Sequence, residues 1–226
     1  MNRLQRLLTD RKFRLARLWS NEELRRLGGA FTGRAINVSA WKDEDKDGGH
    51  YRTYFPNVDH YHISNFSGHR GYQGLQEEVL LDLTAELPEE LEGAFDLVFN
   101  HTTLEHIYEV EKAFDNLCKM TSDALVVIVP FAQVQHESDS WKDYWRFTPT
   151  WAEEAMKRRG LTMIYVSANN HRNAATYVVA VGVRDPEAWA NRLPTPPRRE
   201  DAARWLGESI LRRVAARAVR RVGVRI

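Results

Sequence analysis

Three consecutive segments between Phe95 and Phe131 restrict the fold more than anything else in the chain. Phe95-Asp-Leu-Val-Phe-Asn100 is a short apolar run of strand length. From Leu104 to Met120, the residues Leu104, Ile107, Val110, Ala113, Phe114 and Leu117 recur at helical spacing and give one apolar face. Ala124 to Phe131 is then continuously apolar up to Pro130, as a parallel strand covered by helices on both faces must be. A strand, an amphipathic helix and a doubly covered strand in that order predict an α/β layer fold with a largely parallel sheet.

The rest of the chain extends the pattern. Arg34 to Trp41 predicts a first strand, His60 to Phe66 a second and Glu78 to Leu83 a short third. The charged segment 42–49, ending in two glycines, predicts a solvated loop, one that orders over a bound ligand. Its acidic residues lack the spacing and terminal glutamate of a calcium loop. Thr150 is a cap for a helix from Trp151 to Arg159 closed by Gly160, and Thr162 to Val166 and Thr176 to Val183 complete the sheet. With 226 residues, 43% apolar, the chain can bury one substantial core, so a central domain over 30–185 is expected.

Charge is distributed unevenly around that domain. Residues 1–29 hold eight Lys/Arg against three Asp/Glu, and residues 184–226 hold eleven against five; the middle is acidic, with thirteen against twenty-three. The first arm, 1–29, places Leu4, Leu7, Leu8, Leu15, Leu18 and Trp19 on one helical face, and Ser20 is read as the cap of a second short helix ending at Gly28-Gly29. The last, 186–226, opens with a proline-rich linker and continues as a basic amphipathic helix carrying seven arginines between Arg204 and Arg225. Such arms either fold against the acidic body with solvated arginines or contact an anionic membrane peripherally. Nucleic acid is not expected as a partner, because the acidic body repels a duplex; a homo-oligomer remains open. The single cysteine, Cys118, excludes an intramolecular disulfide, and neither a signal core nor eighteen consecutive apolar residues is present. A cytoplasmic location, with peripheral attachment to the inner membrane face as an option, follows as the expectation.

In an open α/β sheet the residues after each strand form the site. These are Ser39, Ala40 and Trp41 after the first strand, Ser64 and Asn65 after the second, and Asp82 after the third. The fourth contributes Asn100, His101 and Thr102, and the fifth Gln133, His136 and Asp143. Here FDLVFNHTTLEHIYEVEKAFDNL resembles the fourth strand and following helix of class I S-adenosylmethionine-dependent methyltransferases, and ALVVIVPF followed by His136 and Asp143-Tyr-Trp-Arg-Phe-Thr148 resembles members linked to sugar or cell-surface polysaccharide pathways.

The resemblance spans about residues 33–183 and implies a Rossmann-like fold with S-adenosylmethionine as cofactor and a sugar, glycan or related polar small molecule as acceptor. By position it implies cofactor contacts at Ser39, Ala40, Asn65, Asp82 (toward the adenine) and Asn100. It further implies proton transfer at His136 or His101 with Asp143, acceptor contacts at Tyr144 and Arg146, and no resident metal. The chain departs from that family at two places. Asn37-Val-Ser-Ala-Trp-Lys42 stands where the family has its glycine loop, and Ser64-Asn65 where it has a ribose-binding acid. A methyltransferase-like fold without canonical cofactor use, serving as a binding module or acting on a nucleotide-linked or phosphorylated substrate, is therefore the alternative. A Trp41 indole filling the cleft favours that alternative; one turned into the core favours methyl transfer.

Overall fold

A computed structural model describes residues 14–45, 47–67, 71–169 and 175–195. Seven strands form one sheet: β1 (Gly33–Val38), β2 (Val58–Asn65), β3 (Glu78–Leu80), β4 (Phe95–His101), β5 (Thr121–Ala132), β6 (Thr162–Ala168) and β7 (Thr176–Val183). Their order is β3-β2-β1-β4-β5-β7-β6, and only β7 runs antiparallel to its neighbours. Three α-helices are described: α1 (Arg14–Leu27), α2 (Val110–Met120) and α3 (Pro149–Lys157). This is the expected α/β architecture.

The continuous apolar run in β5 is explained by strand pleating, which sends alternate side chains to opposite faces. Leu125, Val127 and Val129 join the core shared with α2 and α3. Ala124, Val126 and Ile128 join a second core containing Ala16, Leu24 and Leu27 of α1 and the aromatic rings of Phe31, Phe55 and Trp189. Each fully buried Val, Leu or Ile contributes about 1.5–3 kcal/mol on removal from water, so either face left uncovered would cost the sheet heavily.

Several expectations are corrected. Arg14–Leu27 is one helix, and Ser20 is fully buried inside it rather than capping a second one. Its hydroxyl donates to the Arg17 carbonyl, a bond available without leaving helical geometry. Glu23 is nearly buried and accepts from Tyr165 Oη at 2.5 Å and Ser167 Oγ at 2.7 Å, which fastens α1 to β6. The helix expected from Leu104 to Met120 is broken: Leu104–His106 is a single 3-10 turn, and α2 starts at Val110. The apolar face is as expected, but the carbonyls of Glu105 and Ile107 are taken by Tyr144 N and Trp145 Nε1 of a later strap and cannot continue a helical ladder. Thr148, not Thr150, caps α3, accepting from Trp151 N with Pro149 at the first helical position.

Residues 1–13 of the first basic arm and 196–226 of the last lie outside the described residues. Trp189, within the stretch read as linker, is buried against Phe31 and donates to Asp123. Among the described residues no helix is long and apolar enough to cross a membrane.

Candidate active site

The parallel strands end in register. Val38 pairs with both Ser64 and Asn100, Asn65 with Leu80, and His101 with Ile128. The strand order reverses between β1 and β4, and this junction is where open α/β sheets receive ligands. Four groups of side chains occupy that edge.

The first group is the turn after β1. Ser39, Trp41 and Asp43 all have positive φ, at 61°, 53° and 61°, without a glycine among them. Such conformations are disfavoured for residues with a Cβ, and the turn is held by Asn65. Asn65 Oδ1 accepts from Trp41 N at 2.6 Å, and Nδ2 donates to Trp41 O at 2.9 Å and to Glu78 Oε1 at 2.6 Å. Ala40 N donates to the Ser64 carbonyl, so Ser39, Ala40 and Asn65 do come together, with the Asn65 amide engaged by the turn itself. The Trp41 indole is half-buried, belongs to neither core, and carries Lys42 over its face. Asp43, expected in a solvated loop, is instead a buried hub accepting from Asn37, the Tyr61 hydroxyl and Arg52 N. Asp82 stands apart from this group in a tight turn, accepting from Thr84 N and Oγ1.

The second group is Asn100 alone. It is fully buried, its Nδ2 donates to the Val38 carbonyl at 3.0 Å across the strand junction, and its Oδ1 meets no donor. A buried acceptor left unsatisfied costs about 1–3 kcal/mol.

The third group surrounds His101. This ring is buried, with Nε2 3.0 Å from Ser20 Oγ and Nδ1 3.2 Å from Arg17 Nη1 and 3.0 Å from Thr102 Oγ1. Arg17 also donates to Thr102 Oγ1 at 2.6 Å and to Tyr51 Oη at 3.4 Å. Burial opposes the charge on Arg17, but the oxygens of Tyr51, Tyr177 and Glu105 outweigh it and raise the pKa. Thr102 holds a φ of 48°, an outlier for a β-branched residue.

The fourth group is the strap after β5. Asp143 receives both guanidinium nitrogens of Arg146, at 2.6 and 2.7 Å, and the His136 amide at 2.8 Å. Burial acts to raise the Asp143 pKa, and these bonds overcome it and hold the carboxyl below its ordinary range. Asp143 Oδ2 also lies 3.4 Å from His136 Nδ1. His106 and His136 stack edge to face at 5.0 Å, and burial lowers the pKa of each. Beside them Glu105 is 1% exposed; burial pushes its carboxyl up to about 7. Tyr144, exposed, stacks on Tyr108 rather than joining this cluster. A cavity of about 630 Å³ is lined by Tyr108, Val110, Trp145, Phe147 and Trp151, and neither Asn100 nor Ser39 belongs to its lining.

The sequence reading thus located His136, Asp143 and Arg146 as one group, and missed Arg17, Ser20 and Glu105. Arg17 and Ser20 belong to an amphipathic helix 81 or more positions from His101, with no local signal. Glu105 lies between Leu104 and His106 in the segment that resembles the methyltransferase helix, where an acid beside apolar residues is the available sign.

No family model and no curated protein matches the chain. Solved structures do. One is the magnesium protoporphyrin IX methyltransferase of Synechocystis PCC 6803 with bound SAH (TM-score 0.52, 9% identity, 82% of this chain and 89% of that one). Another is the Burkholderia thailandensis 1,6-didemethyltoxoflavin-N1-methyltransferase with its substrate and S-adenosylhomocysteine (0.50, 14%, 74% and 80%). A third is a SAM-dependent methyltransferase from Thermotoga maritima (0.51, 13%, 76% and 91%). With that strand order and those neighbours, the chain has the Rossmann-like fold of class I methyltransferases.

Proposed function

We propose that this protein is an S-adenosylmethionine-dependent methyltransferase acting on a small polar acceptor, a sugar or related metabolite. The observation that carries the reading is Asn100: a buried acceptor without a donor, at the strand junction where this fold takes its ligand. The ammonium group of an amino-acid moiety is a donor of the kind Oδ1 lacks. Asp82, half-buried after β3, supplies an acceptor for the exocyclic amine of an adenine. Bound there, S-adenosylmethionine supplies an electrophilic methyl group.

The chain's own residues then orient the acceptor. His136, backed by Asp143, takes the acceptor proton in the metal-free protein; the Arg146 clamp on Asp143 fixes the strap that carries it. His101, with contacts at both ring nitrogens inside the α1 interface, holds α1 and β4 together. Calorimetric titration tests the reading. Saturable heat with S-adenosylmethionine is expected, weakened about tenfold or more by Asn100→Ala, the worth of one charge-assisted hydrogen bond of about 1.5 kcal/mol. Absence of heat at millimolar cofactor overturns it.

The Asn65–Trp41 closure favours a second reading, in which the fold binds a nucleotide-linked or phosphorylated ligand without methyl transfer. An amide already bonded to Trp41 and Glu78 has no donor left for a ribose hydroxyl, and the Trp41 indole is not turned into either core. Transfer of a labelled methyl group to any acceptor removes this reading.

A further inference from the structure

Glu105, His106 and His136 each present one ligand atom, and the three atoms lie within 4.8 Å of one another. We propose that these three side chains form a binding site for a divalent first-row transition ion, with zinc or cobalt the best match to two imidazoles and one carboxylate.

The donor set argues for the class of ion. Imidazole nitrogen suits zinc, cobalt and their neighbours, whereas magnesium and calcium take all-oxygen shells. Three protein ligands leave coordination positions open, the form of a catalytic rather than a structural site. Ligand bonds of about 2.0–2.2 Å put neighbouring donors about 3.4 Å apart in a tetrahedral shell. His106 Nε2 and Glu105 Oε1 are already 3.7 Å apart.

Two further observations point to a cation. Glu105 is buried, and its Oε2 has no hydrogen-bond partner. The two guanidinium groups whose charges act on Glu105 spend their bonds elsewhere, Arg17 on Thr102 and Tyr51 and Arg146 on Asp143. The His106 ring is also oriented as a metal-ligating histidine is, with Nδ1 turned to an oxygen behind. His106 Nδ1 lies 2.6 Å from the Lys142 carbonyl, which can only accept, so Nε2 carries the lone pair toward Glu105. His136 Nδ1 lies 3.4 Å from the Asp143 carboxylate and 3.2 Å from the Gln133 side-chain amide nitrogen. Arg146, by fixing Asp143, becomes a positioning residue for the site. With an ion in place, His136 is a ligand rather than a base, and the ion would bind an acceptor hydroxyl and lower its pKa.

The proposal stands on these side chains and not on methyl transfer, and its test needs no methyl donor. Untagged full-length protein, stripped with chelator, is titrated with Co²⁺ while the visible d–d absorption is followed. A single saturating site is expected. His106→Asn and His136→Asn should each abolish saturation, Asp143→Asn should weaken binding about 10- to 100-fold, and the exposed His60→Asn should leave the curve unchanged. Far-UV circular dichroism of each variant confirms folding. No cobalt absorption in the wild-type protein, or an unchanged titration in the folded His106→Asn, His136→Asn double variant, overturns the site whether or not S-adenosylmethionine binds.

Discussion

Asn65 closes both backbone polar groups of Trp41, accepting from its amide at 2.6 Å and donating to its carbonyl at 2.9 Å. The side-chain amide acts here as a surrogate peptide, pairing with a turn that has positive φ at both Ser39 and Trp41. Asn65→Ala leaves two backbone groups and the Glu78 carboxylate without that partner, and should cost about 2–4 kcal/mol in urea denaturation. An unchanged midpoint would show that solvent replaces the amide at no cost.

The same turn predicts a gain. A left-handed residue with a Cβ costs about 1–2 kcal/mol, and glycine avoids this while losing about 0.5–1 kcal/mol to chain entropy. Ser39→Gly should therefore stabilise the protein by about 0.5–1 kcal/mol, read as a raised denaturation midpoint at constant slope.

These two residues also show where the sequence was legible. Periodicity located the strands around the turn because side-chain burial alternates with the pleat, and Thr176–Val183 is found at the expected bounds. It ran out wherever a distant partner decided the outcome. The break before α2 depends on Tyr144 and Trp145 bonding to carbonyls at Glu105 and Ile107, some forty positions away. Asp43 read as solvated because its neighbours are charged, yet Tyr61, eighteen positions on, draws it inside. At the site, residue type and strand order nominated His136 and Asp143, whereas Arg17 became visible only when α1 was seen to cross the end of β4.

Glu105 gives the protein a pH dependence of definite sign. Its carboxyl titrates at about 7 when folded, against an ordinary value near 4.5, so the folded state holds the proton longer. Stability is then unaffected by this group below the ordinary value and falls as pH rises toward 7, by about 3 kcal/mol in all. Denaturation midpoints with chelator present should fall with pH over that window in the wild type relative to Glu105→Gln, in which the half-buried His106 and His136, with their lowered pKa, leave a slope of the opposite sign.

Arg17 and Glu105 should be energetically coupled, since each charge acts on the other's ionisation. Arg17→Met removes the donor to Thr102 Oγ1 and the cation beside Glu105, a loss of about 2–3 kcal/mol. Made on a Glu105→Gln background the same change should cost less, with about 0.5–3 kcal/mol of interaction in a double-mutant cycle above pH 7. Strict additivity would mean that the two groups do not sense one another.

Cys118 supplies a readout of whether the core opens. It is 1% exposed on α2, and burial pushes its thiol up to about 12. The thiolate is the reactive form, so native protein at pH 8 should resist alkylation. Labelling under mild denaturant then reports separation of α2 from the sheet. Leu117→Ala removes a fully buried side chain from that packing, costs about 2–5 kcal/mol, and should accelerate labelling in proportion to the opening equilibrium. Rapid labelling of the native wild type would instead place the thiol at the surface and contradict the packing of α2 described here.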